Sequence, residues 1–307
     1  VDILLQQLIN GLVLGSIYAL VALGYTMVYG ILELINFAHG EILMIGAMVA
    51  LSVIHMLAGS GLPGPLIVAG GLLVAVPVCT LIAFTMERVA YRPLRHAPRL
   101  APLITAIGVS MLLQNVAAII WGKQYIPMPG VLHVTPFQIG GATMTNLQVF
   151  IILLSATLMA ALLLVVKKTR LGRAMRATAQ NKEVAGLMGV DINKIISITF
   201  MIGAAMAAIA GVMVTSYYSQ AHYYMGFLLG LKAFTAAVLG GIGNLGGAML
   251  GGLLLGIIES LGAGYIGDLT GGFLGSNYQD IFAFFVLITV LIFRPSGLLG
   301  EPGSERA

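Results

Sequence analysis

A chain of 307 residues that is 59% hydrophobic and only 8% charged does not fit a soluble enzyme or a nucleic-acid-binding module, because soluble domains carry about 25% charged residues. Its mean hydropathy of +1.01 and its continuously apolar runs, which lack the period-two alternation of barrel strands, predict an all-α polytopic membrane protein. The formal net charge of +4 then reads as an orientation signal rather than the mark of an acidic or nucleic-acid partner, and the single cysteine, Cys79, rules out a disulfide framework.

Eight apolar blocks follow one another, at 3–30, 41–58, 64–86, 102–121, 147–166, 195–216, 227–262 and 279–293. A span takes about 20 apolar residues, so the first and seventh blocks are too long for one simple span. Each runs into a stretch rich in Gly and polar groups. The opening run VDILLQQLIN has no basic region and continues too far for a signal peptide, so it reads as a retained span. The expectation is one transmembrane domain over 1–307 with 8–10 helical segments, two of the helices being broken. Either extreme leaves both termini on one side.

Lys and Arg set the orientation. Arg88, Arg92, Arg95 and Arg99 follow the third block. Lys167, Lys168, Arg170, Arg173, Arg176, Lys182 and Lys194 follow the fifth, and Arg294 and Arg306 follow the last. The positive-inside rule makes these three segments cytoplasmic. Loop 122–146 is then external. Its Pro and Gly predict irregular backbone, and Trp121 and Tyr125 suit a membrane interface. A docking loop and a plain connector both fit it.

Two breaks interrupt the apolar blocks. The first, YGILELINFAHGE over 29–41, carries Asn36, His39 and Glu41. Such groups cost about 2.5–3.5 kcal/mol each near a bilayer centre, and irregular backbone there must be buried in protein or line water. The second, LGGIGNLGG over 239–247, carries Gly243 and Asn244 between Lys232 and Glu259. Broken helices in corresponding halves point to a transport path. Plainer readings stand beside this one: a membrane-edge turn for Asn36, His39 and Glu41, snorkelling for Lys232, and helix packing for Gly243, Gly247, Gly251, Gly252 and Gly256.

The most charged stretch, 169–194, holds a short helix with readable ends. Asn181 is a candidate N-cap, Glu183 sits in the first turn, and Gly189 suits a left-handed end. Val184, Leu187 and Met188 share one face. A capped helix with an apolar face, held outside the membrane between two spans, is built to press on something. A basic loop that only sets topology is the alternative.

No phosphate-binding G-x-x-x-x-G-K-[ST], no H-E-x-x-H, no G-x-S-x-G and no Cys cluster occurs. His55, His133 and His222 are isolated, so no metal site and no catalytic residue is expected. If ATP drives transport, a partner must hydrolyse it.

Four stretches carry a family resemblance: GYTMVYGILELINFAHGEILMIGA (24–47), ERVAYRPLR (87–95), LGRAMRATAQNKEVAGLMGVDINKII (171–196) and KAFTAAVLGGIGNLGGAMLGGLLLGI (232–257). Together they resemble the LivH-type permease subunit of bacterial branched-chain amino acid ABC importers. The resemblance implies that 169–194 is a cytoplasmic coupling loop. Glu183, Ala185 and Gly189 match its E-x-A-x-x-x-G core, and Val184 stands where Ala is frequent. It also implies a multi-pass protein of the bacterial inner membrane with four kinds of contact: a second homologous permease, two ATP-binding subunits that hold ATP and Mg, a periplasmic amino-acid-binding protein, and lipid. Substrate would pass between the two permeases, with 35–41 and 239–247 lining or gating the path. Asn36, Gln114, Thr235 and Asn244 would meet the zwitterionic backbone of the amino acid. The family also serves other amino acids, small amides and urea.

A secondary transporter working without an ATPase, with Glu41, Lys232 or Glu259 as its ion- or proton-coupled sites, is the second reading. Such a carrier has no use for the helix at 181–189.

Overall fold

The computed structural model describes residues 2–300, so Arg306 lies outside the described residues. The chain is helical almost throughout. α1 (Asp2–Leu32), α2 (His39–Leu57) and α3 (Gly64–Met86) lead into a π-helical turn at Glu87–Tyr91 and a 3-10 turn at Arg92–Leu94. α4 (Leu100–Trp121), α5 (Asn146–Lys168), α6 (Arg170–Gln180), α7 (Lys182–Leu187), α8 (Ile192–Tyr218), α9 (Met225–Gly240), α10 (Leu245–Leu269) and α11 (Gln279–Phe293) follow. Among the described residues eight helices are long and apolar enough to cross a membrane, and α9 is a shorter apolar one.

The expected blocks survive with two changes. The first, thought too long for one span, is a single helix of 31 residues. The seventh splits into α9 and α10 at Gly241–Asn244, where Gly241 and Gly243 take φ of +107° and +93°. Side-chain-bearing residues rarely adopt that backbone, so the helix stops there.

Loop 122–146 is less irregular than expected. β2 (Pro136–Ile139) and β3 (Ala142–Thr145) form an antiparallel hairpin. Gly140 and Gly141, both at positive φ, make the two-residue turn that such a hairpin favours. β1 (Ile126–Pro127) pairs with β4 (Gln220–Ala221). The isolated histidines serve this region: His55 bonds the Pro127 carbonyl, His222 bonds the Lys123 carbonyl, and Tyr125 stacks on His222.

Two compact units divide the chain. One takes Met27–His133 and Ala160–Leu231; the other takes the remainder. The core of the first is α2, α3 and α8 packed on one another. Small residues permit the approach: a Cβ on Gly211 would stand 2.4 Å from the Leu43 carbonyl oxygen, and one on Gly46 2.7 Å from Ala208 Cα. In the second unit the N-terminal part of α1 lies against α10 in the same way. A Cβ on Gly256 would meet Gly15 N at 2.2 Å, and one on Gly252 would meet Ala19 Cα at 2.3 Å. Packing is therefore what Gly251, Gly252 and Gly256 do. α4, α5 and α11 leave most of their apolar surface uncovered.

Candidate functional site

Three helix starts in close succession shape the segment after α5. Thr169 Oγ1 accepts from Gly172 N at 3.0 Å and caps α6. Asn181 Oδ1 accepts from Val184 N at 3.0 Å and caps α7. Asp191 Oδ1 accepts from Lys194 N at 3.2 Å and caps α8. Between the last two, Gly189 turns left-handed at φ +92°, and the Val190 amide donates to the Ala185 carbonyl at 3.0 Å to close α7. α6 itself was not expected. Its basic face disguised a helix that buries Gly172, Met175 and Thr178.

α7 rests on α6 and α8 and turns outward what the sequence marked as apolar. Ala185 is 3% exposed and anchors the helix, while Val184, Leu187 and Met188 are 51%, 86% and 80% exposed. Three apolar side chains this open, on a helix pinned at both ends, form a patch with no partner inside its own unit.

The first break lies in the same unit. Between Leu32 and His39 the chain is non-helical, and Asn36, His39 and Glu41 are all buried. Asn36 Oδ1 accepts from Tyr91 Oη at 2.7 Å and from the Ala38 amide at 3.2 Å. Glu41 Oε1 accepts from Gln114 Nε2 at 2.6 Å and Ser110 Oγ at 3.1 Å, two residues one turn apart on α4. The turn that follows α3 adds a second buried acid. Glu87 accepts from Ser197 Oγ at 2.7 Å, pairs with Arg92 at 3.2 Å and also pairs with Arg95. Tyr91, Ser110, Glu87 and Ser197 were not singled out from sequence. The available signal was spacing, since Glu87 and Tyr91, and Ser110 and Gln114, stand four apart on helical turns.

The other unit holds the second break and its flanking charges. Lys232 is buried rather than snorkelling. Its Nζ lies 2.6 Å from Asp280 and 3.5 Å from Glu259 Oε2, which also accepts from Tyr18 Oη at 2.7 Å. Thr235 is buried one turn further along α9. Asn244 is exposed, and its amide is engaged with backbone: Oδ1 caps α10 by accepting from Gly247 N at 2.9 Å, and Nδ2 donates to the Leu299 carbonyl at 3.1 Å. Among the described residues no three His, Cys, Asp or Glu side chains converge closely enough to hold a metal ion.

Comparison with known proteins gives these features a context. Residues 7–291 match the model of the branched-chain amino acid transport system / permease component family. The chain is 46% identical to the high-affinity branched-chain amino acid transport system permease protein BraD of Pseudomonas aeruginosa, over 98% of this chain and 97% of that one. It is 44% identical, with the same coverage, to the permease protein LivH of the corresponding Escherichia coli K12 system. A probable branched-chain amino acid transport permease protein of Methanocaldococcus jannaschii is 27% identical over 95% of this chain and 91% of its own.

Proposed function

We propose that this chain, which belongs to the family of branched-chain amino acid transport permease components, is a membrane-spanning subunit of an ATP-driven importer for leucine, isoleucine or valine. In this reading it works in the bacterial cytoplasmic membrane with a second permease, two ATPase subunits that bind ATP and Mg, and an external amino-acid-binding protein. Specificity between related amino acids rests with that binding protein.

The observation that carries the reading is the open face of α7. Val184, Leu187 and Met188 stand out from a helix capped by Asn181 and Gly189. Such a face suits a cleft in an ATPase subunit. The caps at Asn181 and Asp191 hold α7 and α8 in a set relation, so a pull on α7 moves α8 as a lever. α8 meets α2 across Gly211 and Gly46, too closely for independent sliding. α2 begins at His39 and carries Glu41, so motion of α8 reaches the first break. There Asn36 and His39, with the bonded pair Glu41 and Gln114, would exchange their present bonds for bonds to the amino acid. In the other unit, taken by itself, Lys232, Thr235, Gly243 and Asn244 are the candidates for contact with the translocated amino acid.

Leu187→Asp tests the docking. The unmodified chain, purified from membranes, should bring ATPase subunits with it, and the variant should lose them while keeping its own thermal stability. Uptake into vesicles by the unmodified chain alone, without ATP, would overturn the importer reading in favour of an ion-coupled carrier.

A further inference from the structure

A cavity of about 410 Å³ opens in the unit that carries the coupling helix. Its walls come from three places distant in sequence: the end of α1 with the turn beyond it, the segment leading into α4, and Lys182, the first residue of α7. Leu32 and Leu103 are among its apolar walls. Arg95, Arg99 and Lys182 bring three positive charges, and Glu33 brings one negative charge. Basic segments on this side assign it to the cytoplasm.

Glu33 departs from the expectations for its residue type. Its φ is +56°, one of two positive values among the described non-glycine residues. That backbone is disfavoured for a side chain of this kind, and such strain clusters at ligand sites. The buried acids of this unit, Glu41 and Glu87, are bonded to neighbours, and Arg95 is held by Glu87 and Asn193. Among the described residues no ion pair or hydrogen bond engages the side chains of Glu33, Arg99 or Lys182. Glu33, Arg99 and Lys182 are all exposed at the cavity mouth; partial desolvation there still lowers the Lys182 ammonium below its ordinary value, which Glu33 counters and Arg95 reinforces. A nearby anion would relieve that loss.

The combination selects a ligand class. A simple anion, such as phosphate or a lipid headgroup, would meet Arg99 and Lys182 but leave Glu33 unmatched. A simple amine would meet Glu33 but leave Arg99 and Lys182 unmatched, Arg95 being paired with Glu87. A molecule with a carboxylate, an ammonium and an apolar side chain satisfies every wall, and the volume lies in the small-ligand range of about 300–1,000 Å³. We propose that the cavity is an inhibitory product site. An apolar α-amino acid from the cytoplasmic side binds there, its ammonium on Glu33 and its carboxylate on Arg99 and Lys182, and by holding Lys182 it restrains α7. This inference rests on the importer reading above.

The test uses the assembled importer in proteoliposomes, with ATP trapped inside and the binding protein and labelled leucine outside. Trapped leucine at millimolar concentration should slow both initial uptake and ATP hydrolysis severalfold, whereas trapped glutamate or phosphate should not. Glu33→Gln and Arg99→Gln should transport normally into vesicles without trapped leucine and need about tenfold more trapped leucine for the same inhibition. Unchanged wild-type rates, or equal inhibition of wild type and both variants, would overturn the proposal. Inhibition by phosphate would replace it with an anion site. Equilibrium binding of labelled leucine to the purified complex, without ATP or binding protein, reads the cavity separately from transport. Weaker binding in both variants supports the site even if ATP-driven uptake is absent, and equal binding sinks it.

Discussion

Between α1 and α2 the chain leaves helical geometry for residues 33–38 and surrounds the interruption with side chains; between α9 and α10 it does so for residues 241–244 and surrounds the interruption with backbone. The first break buries Asn36, His39 and Glu41; Asn36 accepts from Tyr91, and Glu41 from Ser110 and Gln114, all neutral donors. The second leaves Gly243 and Asn244 exposed and closes by contact between Gly240 and Gly247, where a Cβ on either would meet the other's carbonyl oxygen. Its charges stand on the helices nearby, as the Lys232, Glu259 and Asp280 cluster. A hydrogen bond from a neutral donor exchanges at a cost of about 1–3 kcal/mol, the upper end applying to a carboxylate acceptor, whereas breaking a buried ion pair costs about 3–5 kcal/mol. The first break is therefore suited to rearrange and the second to hold its shape.

Four substitutions put that difference at risk. Lys232→Met has the largest expected effect, a loss of about 3–5 kcal/mol, because it leaves Glu259 buried without its cation. Thermal unfolding in detergent reads it, and adding Glu259→Gln should recover much of the loss. Gly247→Ala comes next, at about 1–3 kcal/mol, since its methyl would sit 2.3 Å from the Gly240 carbonyl oxygen. Gly59→Ala, with nothing within 4 Å, is the control and should stay within about 0.5 kcal/mol of the parent. At the first break Tyr91→Phe removes the 2.7 Å bond to Asn36 and should cost about 1 kcal/mol. Apart from the Gly59 control, the smallest stability change is expected for Glu41→Gln, under about 1 kcal/mol, because the new amide oxygen still accepts from Gln114 and Ser110. Its uptake should fall all the same. Unaltered uptake would remove Glu41 from the translocation path, and a loss at Tyr91 as large as that at Lys232 would erase the contrast between the breaks.

Much of segment 169–194 is legible because its signals are local. A cap and the amide it accepts from are three residues apart, as in Asn181 with Val184, and the apolar face of α7 repeats within one turn. α6 is less legible, because Arg170, Arg173 and Arg176 suit a basic loop as well as a helix, and the buried stripe of Gly172, Met175 and Thr178 is only weakly apolar. The hairpin at 136–145 rests on the Gly140–Gly141 pair, and Gly among Pro residues suits an irregular loop as well as a tight turn.

By itself the sequence determined that the chain is a membrane helix bundle, where its apolar segments run to within a few residues, that a capped helix interrupts them, and which family it joins. These follow from composition, periodicity and short-range spacing, which act along the chain. Tertiary structure alone decided what each intramembrane polar group does. Glu41 meets Ser110 and Gln114 from 69 and 73 positions away, and Lys232 turns inward to two acids instead of snorkelling. A buried polar group must find a partner to offset its desolvation. Which partner it finds depends on how the helices pack, and no local pattern records that.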